Sequence, residues 1–457
     1  MGYFQYKLFT IDKYNNTIRK LSLMPKYVFM VLIIFMIFSS FLVYIIIIRI
    51  HVYNSSIRLI TLLWLVPMPF IIINFLYFLK LPGEDFRIHR VIGKCKPVIF
   101  QITTLGFNYK SLIETVKSVD YWYNKLLSEH RIEFDAEIWV VIEPDGYKKN
   151  KRYFSEIEKI SKFIVVPEDY QTKNKTKGKA RALQHACDIR KCDAWIYHQD
   201  EETMVGEDTI LGIDEFIKTH DRGIGVGIIL YPQNFSGKPS QMQELSRSYM
   251  DIMSIFSQRT EKNMLVGFHG SHIIVSSDIE NDIGWDFGDK STAEDLNFEN
   301  AVRRKYKNVF YLLKGFAYEK AALCKMDQLR QRRRWIRGIM EAILRKDMGK
   351  TRKAVMILQL ISWFSAAMSI FLFILVIIYK FSIIIPELAF LSPFIWFLMA
   401  LQYYSGYTMH RQYIKKLSIY VLIKNGIIGA IVDMISPWYA ILKVKYNPKK
   451  DFIKKDV

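Results

Sequence analysis

A chain of 457 residues with 51% hydrophobic residues and a mean hydropathy of +0.08 is too apolar for an ordinary soluble enzyme of its size. Its formal net charge of +20 would suit a nucleic-acid binder, but the basic residues gather beside hydrophobic stretches and in the loop 171–181, where cytosolic anchoring and attraction to anionic lipid headgroups explain them. No nucleic-acid partner is therefore expected, and Cys95, Cys187, Cys192 and Cys324, with no CxxC pair or zinc spacing, read as reduced thiols of a cytosolic domain.

In chain order, a cytosolic segment 1–26 precedes two uncharged runs, Tyr27–Ile48 and Leu59–Leu79, each long enough to cross a hydrocarbon core of roughly 30 Å. A second span following at once, with no small-residue cleavage site between, argues against a cleaved signal peptide. The loop His51–Ser56 has no Lys or Arg while both flanks have several, so a hairpin is expected that leaves the N-terminus and the following domain in the cytosol.

Residues 95–325 have globular composition and alternate strand with helix. Strands are expected at Pro97–Thr104, Glu137–Ile142, Lys162–Val166 and Ala194–His198, the second stopped by Glu143-Pro144-Asp145-Gly146, with helices at Ser111–Tyr123 and about Ala180–Asp188. This βαβ rhythm implies a largely parallel sheet with ligands beyond the carboxyl ends of its strands. A basic amphipathic helix at 326–350 is expected to lie at the membrane interface with its apolar face in lipid. Two further spans, Ala354–Tyr379 and Leu388–Tyr403, occupy 354–403. In 417–442 the run is interrupted by Lys424, Asn425, Gly426 and Asp433, and a simple crossing would put the lysine-rich tail 443–457 outside, so a re-entrant or interfacial pair of helices is expected.

The chemistry-bearing residues fall at strand ends. Asp200-Glu201-Glu202 follows a buried strand, and Asp200 with Glu202 can converge on one hard divalent cation, Mg²⁺ or Mn²⁺, shared with phosphates; a solvated acidic turn is the plain alternative. Glu143 and Asp145 can accept hydrogen bonds from a base or ribose. Lys179 and Arg181, at a helix start, suit a diphosphate, although a simple basic loop would look the same. Glu294 and Asp295 precede an amphipathic helix, where Ser291 or Thr292 with Asp295 also reads as a capping box. Gln331, Arg332, Arg334 and Trp335 join cations for an anionic leaving group to an aromatic plane for stacking; an interfacial helix binding lipid headgroups is the competing reading.

Taken in order, these residues resemble the inverting, GT-A-type glycosyltransferase family 2. Asp200-Glu201-Glu202 resembles its DxD motif, Ala293-Glu294-Asp295 its xED motif and Gln331–Trp335 its Q(Q/R)xRW motif. The strings KARALQHA (179–186), HQDEET (198–203), HGSHIIV (269–275), AEDLNFENAVRRKY (293–306) and QRRRWIRGI (331–339) are similar to egghead-type β-1,4-mannosyltransferases. The resemblance implies an α/β GT-A, Rossmann-like cytosolic domain with α-helical transmembrane segments, a GDP-mannose donor, and a lipid-linked or glycolipid acceptor met beside His269, Gly270 and Ser271. It further implies Asp295 as general base with Glu294 in support, and a single displacement giving a β linkage. A processive polysaccharide synthase would need more spans to line a channel, and a transporter or receptor with a nucleotide-sensing domain would need ionisable residues inside its spans, which the three longest lack.

Overall fold

The computed structural model describes residues 5–24, 86–261, 269–288, 293–378 and 401–442. The expected spans Tyr27–Ile48 and Leu59–Leu79, the loop His51–Ser56, most of Leu388–Tyr403, Ser291, Thr292 and the tail 443–457 lie outside the described residues.

Eight strands form one sheet: β1 (Val98–Thr104), β2 (Ala136–Ile142), β3 (Lys162–Val165), β4 (Trp195–Asp200), β5 (Met204–Val205), β6 (Ile224–Leu230), β7 (Ile273–Ser276) and β8 (Phe310–Tyr318), in the order β3-β2-β1-β4-β7-β6-β8-β5. The first four are parallel, as the sequence rhythm implies. Both faces of this half are covered, which is why β1 reads as an unbroken buried run with Val116 and Trp122 of the helix Tyr109–Ser128 in the same core. Its register sets Thr104 opposite Ile142 and Thr103 opposite Asp200, so the chain leaves β1, β2 and β4 at one edge. The rest of the sheet is mixed: β6 and β8 pair in parallel, but β7 runs antiparallel to both β4 and β6, and β5 antiparallel to β8. Short β7 and two-residue β5 carry too little pattern to announce their direction.

Three boundaries also differ. The turn after β2 is itself the start of a helix, Pro144–Phe154, with Pro144 in the first turn, where its missing N–H costs nothing. The domain does not begin at 95: Phe9, Tyr14, Ile18 and Leu21 sit in the main core with Trp122, Phe316 and Tyr318. The Tyr14 hydroxyl donates to the Phe86 carbonyl (2.6 Å), the Trp122 indole donates to the Tyr6 carbonyl (3.0 Å), and Phe9 stacks on Tyr318 at 3.7 Å. Nor does it end at 325, because Leu401 and Met409 join the same core and the Gln412 amide donates to the Thr17 hydroxyl (3.2 Å).

The arginine-rich helix spans Lys325–Leu344, and its apolar positions are not all offered to lipid: Ile336 is fully buried, with Ile339 and Ile343 packed beside it against Leu360 and Ala440. The helix Lys350–Ile378 begins on the domain, where Arg352 pairs with buried Glu299 (3.0 Å) and Met356 is buried. The segment 417–442 is not a pair of helices. One helix, Ile419–Leu442, runs through Lys424, Asn425, Gly426 and Asp433, and among the described residues it is the one helix long and apolar enough to cross a bilayer by length and composition. Its Gly426, Gly429, Ser436 and Ala440 are buried, and the Gln328 amide donates to the Gly429 carbonyl (3.3 Å). Gly426 and Gly429 let this helix approach the helix Pro239–Glu261, where a Cβ on Gly429 would come within 2.3 Å of the Pro239 carbonyl oxygen, and Ile419, Ile423, Ile427 and Ile431 are left exposed at intervals of four.

Candidate active site

Four motifs that are far apart in sequence meet at one ammonium group. Gly178, in the left-handed region at φ 63°, starts the helix Lys179–Ile189 and turns Lys179 under the end of β4. There Lys179 pairs closely with Asp200, lies 3.7 Å from Glu294, and donates to the Gly270 carbonyl (3.0 Å). Burial works against its charge, but Asp200 and Glu294 outweigh it and hold the amine above the ordinary lysine range. Gly270 lies against both groups: a Cβ there would stand 3.0 Å from the Lys179 amine and 3.5 Å from an Asp295 carboxylate oxygen.

Asp295 lies in the first turn of the helix Glu294–Lys305, whose N-cap is Ala293 without a side-chain cap. The capping-box reading of Asp295 rests on Ser291 or Thr292, which fall outside the described residues. Asp295 accepts a bond from the Leu296 amide (2.8 Å), and burial together with the neighbouring Glu294 charge pushes its carboxyl up to about 7, with Lys179 and Arg334 pulling the other way. Exposed Arg334 reaches this neighbourhood because the arginine-rich helix packs tightly there: a Cβ on Gly338 would come within 2.6 Å of the Ala293 side chain.

The acidic triplet divides where β4 ends at Asp200 and the chain turns through Glu201 and Glu202. Glu201 points inward, accepting bonds from Thr104 and from the Asn108 amide (2.5 Å), and burial beside Glu202 pushes it up to about 8. Asp200 and Glu202 are half-buried. Among the described residues no group of three His, Cys, Asp or Glu side chains is arranged to hold a metal ion. Two carboxylates nevertheless fit a cation whose remaining oxygen ligands come from phosphates and water.

Other expected residues are engaged elsewhere. Arg181 pairs with Glu143 (2.8 Å) and donates to the carbonyls of Pro167 (2.6 Å) and Tyr170 (3.2 Å), so it braces the ends of β2 and β3 rather than joining Lys179. Glu143 keeps one buried oxygen without a hydrogen-bond partner, and burial raises its carboxyl, while Asp145 is exposed. Arg332 is enclosed: it donates to Asp433 (2.7 Å), Glu244 (3.2 Å) and the Gln331 side chain (2.9 Å). The Trp335 ring lies against two guanidinium groups, Arg332 at 4.2 Å and Arg247 at 4.5 Å. Of the acceptor-side trio only Gly270 touches the centre. The Ser271 hydroxyl donates to Glu319 (2.6 Å), and His269 hydrogen-bonds the Ser271 carbonyl (2.6 Å), its imidazole driven down to about 4 by burial and Arg247.

Glu319 escaped the sequence reading. Its carboxylate accepts from both Ser271 and Thr203 (2.7 Å), joining the 269–271 segment to the acidic turn from below. A lone Glu after a strand gives no signal that could have found it.

Residues 195–409 match the family model of glycosyl transferase family group 2. The chain is 31% identical over 207 residues to the β-1,4-mannosyltransferase bre-3 of Caenorhabditis briggsae, covering 44% of this chain and 45% of that one. It is 29% identical over 214 residues to the β-1,4-mannosyltransferase egh of Drosophila melanogaster, covering 45% and 46%. The chain thus spans under half the length of these curated relatives. A solved mannosyltransferase from Pyrobaculum calidifontis, in complex with GDP-Man and Mn²⁺, is 12% identical, with a TM-score of 0.48 over 85% of this chain and 100% of that one.

Proposed function

We propose that this chain, whose residues 195–409 carry a family group 2 glycosyltransferase domain, transfers mannose from GDP-mannose to a lipid-linked or glycolipid acceptor with a β linkage. The observation that carries the reading is the meeting of Asp200, Gly270, Glu294 and Asp295 around Lys179. A cluster of carboxylates beside one ammonium and Arg334 suits a reaction in which a diphosphate arrives, departs, and leaves a proton to be collected. Relatives named β-1,4-mannosyltransferases support the sugar and the linkage.

Asp200 and Glu202 would hold Mg²⁺ or Mn²⁺, which when bound supplies charge neutralisation for the departing nucleoside diphosphate. Lys179 and Arg334 stabilise the same developing charge. Asp295 accepts the proton of the acceptor hydroxyl as its oxygen bonds to C1 and the bond from C1 to the phosphate oxygen breaks. No covalent enzyme intermediate is formed, and configuration at C1 inverts. Glu294 keeps Lys179 in place and raises the basicity of Asp295.

Donor choice rests on Glu143. One oxygen of its carboxylate is held by Arg181 and the other, buried at the end of β2, has no hydrogen-bond partner, so it can accept from guanine, which offers N1–H and amino donors where uracil offers a single N–H. We expect Glu143→Gln to weaken GDP binding by about tenfold or more while UDP binding changes little, as measured by calorimetry. Equal effects on both nucleotides would remove Glu143 from base recognition.

The same reading includes the membrane. Residues 5–24 and 401–416 both pack on the catalytic core, which supports placing all three on one side of the bilayer. Positive residues put that side in the cytosol. A cysteine replacing Asn54 should react with a membrane-impermeant maleimide in intact cells, and one replacing Asn16 should react only after permeabilisation. The reverse pattern would invert the topology.

A further inference from the structure

The segment Gly284–Gly288 lies outside every motif read from the sequence, yet it is fastened to three helices that carry or adjoin site residues. The Trp285 amide donates to Gln184 of the lysine-bearing helix, and its ring stacks on Phe298 at 4.2 Å, on the helix that carries Asp295. The Phe287 carbonyl accepts from Arg345 (3.1 Å), immediately after the arginine-rich helix.

Asp286 makes the longest reach. Its carboxylate accepts from the Thr172 hydroxyl (2.8 Å), the Asn174 amide (2.7 Å) and the Thr176 hydroxyl (2.6 Å), and its carbonyl accepts from the Asn174 side chain (3.0 Å). The Gly288 amide adds a bond to the Thr176 hydroxyl (2.8 Å). The loop gripped in this way carries exposed Lys173, Lys175 and Lys177 and leads straight into Gly178 and Lys179. Like charges and a left-handed Lys175 (φ 59°) would otherwise favour other conformations, and the residues bonded to Asp286 stand on either side of Lys175.

We propose that Asp286 is a positioning residue: it clamps the basic loop 172–177 to the segment leading to Asp295, setting where the donor diphosphate lies relative to the base. The role assigned to the diphosphate rests on the glycosyltransferase reading; the clamp itself does not. The test uses full-length protein in detergent and two readouts. Trypsin cleavage after Lys173, Lys175 and Lys177, located by mass spectrometry, should be about tenfold faster in Asp286→Ala and should be slowed again by GDP with Mn²⁺. The donor KM should rise about tenfold while kcat changes by less than about threefold, with its pH midpoint unmoved because the surroundings of Asp295 are intact.

Asp286→Asn, which keeps an acceptor for the Asn174 amide, should fall between. Asp282→Ala removes the partner of Lys305 and Tyr306 without touching the loop and should alter neither readout. Unchanged cleavage overturns the clamp, and faster cleavage with an unchanged donor KM overturns its role in donor placement. If the wild-type protein turns over no sugar nucleotide, cleavage still decides the clamp, and absence of protection by GDP counts against donor placement.

Discussion

Asp295→Asn is expected to lower the transfer rate by about 10²-fold or more while nucleotide affinity and melting temperature stay near those of the wild type. The substitution keeps size and the ability to accept the Leu296 amide bond, and removes only basicity. A capping role would be insensitive to the same change, because Asn caps helices about as well as Asp, and here the cap position belongs to Ala293. The pH dependence follows from the raised carboxyl. A general base works when deprotonated, so kcat/KM should climb as pH rises through about 7 and level off above it, and this limb should vanish in the Asn variant. An Asn variant with near-wild-type turnover would remove Asp295 from the chemistry.

The second large effect concerns Asp200. Asp200→Asn should reduce transfer by at least about 10²-fold and abolish the response to added Mn²⁺, because one neutral oxygen donor replaces half of the protein's carboxylate pair for the cation. Loss of the Lys179 pair is a separate consequence, and the two can be told apart. If the ion pair alone mattered, Mn²⁺ binding followed by electron paramagnetic resonance would persist in the variant. If the metal matters, Mn²⁺ affinity and transfer fall together.

The parallel half of the sheet and the acidic strand ends were legible because buried strands and charged turns leave local patterns. Asp200, Glu294, Asp295 and Lys179 could be nominated from such patterns, and the structure brings the three carboxylates around the Lys179 ammonium. What was illegible depends on partners distant in sequence. Arg332 looks like Arg334 in a basic run, but one turns into Asp433 and Glu244 while the other stays exposed near Asp295. Arg181 likewise resembles a phosphate ligand until Glu143 is seen beside it. The docking of residues 5–24 on Tyr318 and Trp122 had no signal either, since a short amphipathic segment before a hydrophobic run reads as a tail. Glu319 and Asp286 carry no motif at all, and only their hydrogen bonds reveal them.

The most direct test of the central claim is transfer by the purified full-length protein in detergent, supplied with Mn²⁺, a panel of sugar nucleotides and a glucosyl lipid acceptor. The account predicts GDP release from GDP-mannose that depends on acceptor and metal, a lipid product one mannose larger, and a β anomeric configuration by NMR. Preference for a UDP-sugar, an α-linked product, a polymer ladder, or undiminished transfer in excess chelator would contradict it.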